Sequence, residues 1–106
     1  MAATIAVPHG AHGADANTGT RLNLPDLLDT CAAAPLRALL IEALDSGASI
    51  SLEAGGVVRI GQACLQVLEA SKRAAAARGV GFRIENPSAP LIYLATLAGL
   101  ADVLAA

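Results

Sequence analysis

Aromatic residues are nearly missing from this chain: one Phe, one Tyr and no Trp in 106 residues. A core without rings must be filled by Leu, Ile, Val and Ala, which favours close packing of helices on a sheet and leaves little room for a large cofactor. Charge of one sign is scarce as well. Seven basic and nine acidic residues give a net charge of −2, which argues against a phosphate-tracking nucleic-acid binder. The only cysteines, Cys31 and Cys64, stand too far apart in the chain for a zinc ligand set or a CxxC redox pair, and they read as buried free thiols. No apolar run reaches the about 20 residues needed to span a bilayer, because Pro35, Arg37 and Glu42 interrupt the longest one. No basic-then-apolar leader is visible at the amino terminus, so a cytoplasmic location is expected.

The short lists of catalytic chemistry are also empty. His9 and His12 sit in a Gly- and Ala-rich stretch with no further ligands near them, so no metal site is expected. Cys64 stands at the start of a helix, where a thiol can be activated, but no base accompanies it in sequence. Neither a phosphate-binding nor a dinucleotide-binding glycine pattern occurs, and the carboxylates are scattered singly. No enzyme and no cofactor are expected.

What is present is an alternation of short apolar strands and amphipathic helices in a chain of single-domain length. Residues 1–20 read as a flexible segment with a possible edge strand at 4–7, and residues 21–106 as the domain. RLNLP (21–25) reads as a strand. A helix follows, capped by Asp29 or Thr30, with Leu36, Leu39, Leu40, Ala43 and Leu44 at three- and four-residue spacing and a stop at Asp45-Ser46-Gly47. SISLEA (49–54) alternates like a half-buried strand, Gly55-Gly56 turns the chain, and VVRI (57–60) leads into a second helix over 62–78, closed by Gly79. VGFRIEN (80–86) is the next strand. Ser88 caps a last helix with Pro90 in its first turn, carrying Leu91, Leu94, Leu97 and Ala98. The expected class is α/β: a mixed sheet of four to five strands packed against three or more helices and covered mainly on one side.

LNLPDLLDTCAAAPLRALLIEAL resembles the strand–turn–helix opening of STAS domains, the family of sulfate transporters and anti-sigma-factor antagonists. Leu24-Pro25-Asp26-Leu27-Leu28-Asp29 fills the family's turn, with Asp26 where Gly is usual. SISLEAGGVVRI resembles the approach to the family's switch loop, and GFRIENPSAPLIYLATLAGL its last strand and helix. CLQVLEASKRAAAARGVGFRIENPS is most similar to small stand-alone STAS proteins associated with bacterial chemotaxis. The resemblance spans roughly residues 20–104.

In switching members of the family, a kinase that is also an anti-sigma factor phosphorylates a Ser or Thr at the start of the second helix. Here that run is Gly61-Gln62-Ala63-Cys64-Leu65, so Gln62 and Ala63 form a degenerate phosphosite that cannot accept a phosphate. The resemblance implies a signalling module whose partner, an anti-sigma or histidine-kinase-like protein or a chemotaxis component, docks on Arg59, Gln62, Ala63, Gln66 and Glu69. Gln62, Gln66 and Glu69 share one helix face by their spacing. Two other roles known in the family stay open. One is an accessory subunit of an ABC-type lipid transporter; the other is a nucleotide or lipid binder with Lys72, Arg73, Arg78 and Arg83 as a basic rim. Self-association is open as well.

Overall fold

The computed structural model describes residues 19–105, and the expected strand at residues 4–7 lies outside them, as do His9 and His12. Five strands are seen: β1 (Thr20–Asn23), β2 (Leu27–Leu28), β3 (Ile50–Glu53), β4 (Arg59–Ile60) and β5 (Phe82–Glu85). Three helices accompany them: α1 (Thr30–Ser46), α2 (Gln62–Arg78) and α3 (Ala89–Leu97), followed by a 3₁₀ turn at Ala101–Leu104. β1, β3 and β5 form one sheet in that order, and β2 pairs with β4 in a second; every pairing among the described residues is parallel.

The main sheet is built on a period of two. Leu22, Leu52 and Ile84 stand in register across the three strands and point into the core. Their neighbours Arg21, Asn23, Ser51, Glu53, Arg83 and Glu85 point the other way, to a polar face that no described helix covers. Both long helices pack on the apolar face and on each other. The expectation of a sheet covered mainly on one side is met, with helices and strands close to the sequence-based bounds.

The helix ends follow the local chemistry. Asp29 caps α1, its Oδ1 accepting from the Cys31 N–H at 3.1 Å. Gly47 ends the helix at φ 78°, in the left-handed region that a side chain resists. Gly79 closes α2 in the same way at φ 71°. Ser88 caps α3 and also clamps the preceding turn: its hydroxyl accepts from the Leu91 N–H at 3.2 Å and donates to the Val57 carbonyl at 2.5 Å.

Two readings need correction. Of VVRI, only Arg59 and Ile60 are strand; Val57 donates to the Ala54 carbonyl in a turn and fills the core, while Val58 faces out. Cys31 is exposed, not buried, because the phase of α1 that buries Ala32, Leu36 and Leu40 turns residue 31 outward.

Candidate functional site

The start of α2 is positioned by the small β2–β4 sheet. Pairing of Leu28 with Ile60 brings Gly61 under β2, where its N–H donates to the Leu28 carbonyl at 2.9 Å. One turn later the Cys64 thiol donates to the Asp29 carbonyl at 3.3 Å, and Leu65 and Leu68 anchor the helix in the core. Among the described residues no side chain caps this helix end: Gly61 has none, and the first turn contains no acidic residue. The positive end of the helix dipole is therefore left open, next to Gln62 and Ala63.

The setting of Cys64 disfavours its thiolate. Burial pushes its thiol pKa above the ordinary value, and the nearby Asp29 charge pushes it the same way. A protonated thiol that already donates its hydrogen bond is a packing group.

The five residues expected to meet a partner divide among distinct parts of the surface. Gln62, Gln66 and Glu69 do share one outward face of α2, joined by Arg73, which pairs with Glu69 at 3.1 Å. This crest separates grooves. Ala63 and Gln66 line a groove of ≈ 400 Å³ between α1 and α2. Gln62 lines another, of ≈ 430 Å³, with Ile60, Leu65, Leu94, Leu97 and Ala98 against α3. Glu69 lines a third, beside the 3₁₀ turn. Arg59 stands apart on β4, exposed and in register with Leu27.

The expected basic rim is not assembled. Lys72 donates to the carbonyls of Asp102 and Ala105, Arg73 holds Glu69, Arg78 pairs with Asp45 of α1 at 3.0 Å, and Arg83 lies on the open sheet face near Glu85. Lys72 and Arg73 line a common groove, and two carboxylate residues, Glu69 and Asp102, line it with them.

Of the apolar residues expected along α3, Leu91, Leu94, Leu97 and Ala98, only Leu91 is fully buried, together with Ala95. Ile92, Tyr93 and Leu97 are exposed, Leu97 to 66%. The helix contains no charged residue, and its Leu94, Leu97 and Ala98 line the groove beside Gln62 at the open end of α2. The signal was available in APLIYLATL: a helix apolar all round either is buried or awaits something to cover it.

The described residues form a two-layer α/β domain in which an open helix start is flanked by an apolar helix. The chain belongs to the STAS family: a family model described as "Mlab, STAS domain" matches residues 13–105. No curated protein matches the chain. Among the described residues no helix is long and apolar enough to cross a membrane.

Proposed function

We infer that the chain is a non-enzymatic, cytoplasmic interaction module of bacterial signalling, of the anti-sigma-factor-antagonist-like or chemotaxis-associated kind. It binds its protein partner through the first turn of α2 and the neighbouring face of α3, without a phosphorylation switch. The observation that carries this reading is the exposed Leu97, which lines a groove with Gln62 on a helix that also exposes Ile92 and Tyr93. Such an apolar surface is costly to leave in water and matches the apolar centre of a protein interface with a polar rim. The rim is supplied by Gln62, a neutral group with two donors and an acceptor. With Gln62, Ala63 and Cys64 in the first turn, no hydroxyl stands where a phosphate would be placed. Binding is then governed by the amounts of the two proteins rather than by modification.

Affinity capture from native lysate, followed by calorimetry with the identified partner, tests this. Gln62→Glu and Leu97→Asp each place a charge at the interface and are expected to weaken binding at least tenfold, or about 1.4 kcal/mol. Recovery of an anti-sigma kinase or a chemotaxis protein, lost in both variants, supports the proposal. Recovery of a transporter ATPase moves the chain to the transporter-subunit role. Thermal stabilisation by GTP alone points instead to nucleotide binding.

A further inference from the structure

On the far side of the Gln62–Gln66 crest from α3, the groove between α1 and α2 has a distinct chemistry. One wall carries Arg37, Ile41 and Leu44 of α1, and the other Ala63, Val67, Ala70 and Ala74 of α2. The α1 residues recur at four and three positions, and the α2 residues at four, three and four, so each wall follows one stripe of its helix. From Ala63 to Ala74 the trough runs about 16 Å, or three helical turns. Small side chains along one wall let a third helix approach closely enough to nest between the two. Ile41 is 40% exposed there, an apolar side chain that no other described residue covers fully.

Charge identifies the occupant. Arg37 is the one charged residue lining this groove, and it takes part in none of the ion pairs seen among the described residues. Arg73 and Arg78, by contrast, are matched to carboxylates at 3.1 and 3.0 Å. Gln66 lines the same groove and adds amide donors to it. A guanidinium and an amide bordering an apolar trough form a receptor for a carboxylate that precedes or follows an apolar helical stripe.

We propose that the α1/α2 groove is a second docking surface, taking an amphipathic helix of the protein partner whose apolar stripe fills the trough and whose Asp or Glu pairs with Arg37. This rests on the reading of the chain as an interaction module and adds that the partner straddles the α2 crest, engaging α3 on one side and this groove on the other.

The test is photo-crosslinking in cells that express the chain natively, using the full chain with a diazirine-bearing residue at position 70 or, separately, at position 97. Crosslinks from position 70 are expected on a helix of another protein, with apolar residues at three- and four-residue spacing and a neighbouring carboxylate. Arg37→Glu should lower their yield at least fivefold, and replacing the partner's carboxylate by Lys should restore it. Arg37 is exposed, so the variant is expected to fold, and its melting curve checks this. No crosslink at position 70, crosslinks only between copies of this chain, or a yield unmoved by Arg37→Glu overturns the proposal. Crosslinks at 97 without 70 overturn the groove and leave the α3 interface standing. Crosslinks at 70 without 97 support the groove and displace the α3 interface. Crosslinks at neither position overturn both.

Discussion

α1 and α2 are the same length, 17 residues each, and lie side by side on one face of the sheet, yet they begin in opposite ways. α1 starts from an aspartate whose side chain satisfies a first-turn N–H. α2 starts from a glycine that offers nothing, and its end is held in place from below by the Leu28 and Asp29 carbonyls of the β2 segment. A side-chain cap makes a helix end self-sufficient. Tertiary anchoring leaves the end free to meet something else, at the cost of depending on its neighbours. The domain uses the first solution at the start of α1, and the second at the start of α2, where the surface is expected to work.

That contrast can be broken most severely from the core. Leu68→Ala removes a fully buried side chain beneath the α2 start and is expected to cost about 2–5 kcal/mol in urea or thermal unfolding. Leu97→Ala on exposed α3 should change stability by less than about 0.5 kcal/mol in the same assay. Removing the cap from α1 by Asp29→Ala should cost about 1 kcal/mol.

A subtler difference lies in pH. The folded protein raises the Cys64 pKa above the ordinary value of 9.0, so the folded state holds a proton that the unfolded chain releases at high pH. The contribution is therefore fully present below about pH 9 and is lost as pH rises through the higher folded pKa. Denaturation measured from pH 7 to 10 should show a steeper alkaline loss in the native chain than in Cys64→Ala. Iodoacetamide under native conditions should modify Cys31 and spare Cys64. A small gain is expected from supplying the missing cap. Gly61 has an ordinary φ of −93°, and a Cβ there meets only the Leu28 carbonyl at 3.8 Å. Gly61→Asp should stabilise the fold by about 0.5 kcal/mol through capping and the helix dipole.

Much of this architecture was legible in the sequence because the signals are local. Leu36, Leu40 and Leu44 fix the phase of α1, and Gly47 and Gly79 mark helix ends because only a left-handed turn follows. β2 was not legible: Leu27-Leu28 reads as the approach to a helix, and its strand character exists only through pairing with Arg59-Ile60 far along the chain. The face shared by Gln62, Gln66 and Glu69 follows from helical spacing alone. Their division among grooves does not, since it depends on where α1, α3 and the 3₁₀ turn come to rest. The exposed side of α3 was not legible for a different reason. A segment with apolar residues at almost every position carries no periodic signal of which side is buried.

The parallel pairing of the main sheet also shapes how the chain must be made. Thr20 meets Ile50, and Ile50 meets Phe82, with a whole helix between the partners each time. Among the described residues no hairpin offers a local nucleus, so these strands can associate only after the intervening helix has brought them together. During synthesis the middle strand, β3, keeps an open edge until β5 has left the ribosome. Ile50 and Leu52, which end fully buried, spend that interval as exposed strand. The slowest and most aggregation-sensitive moment in the life of this small domain is therefore expected before its last third is complete.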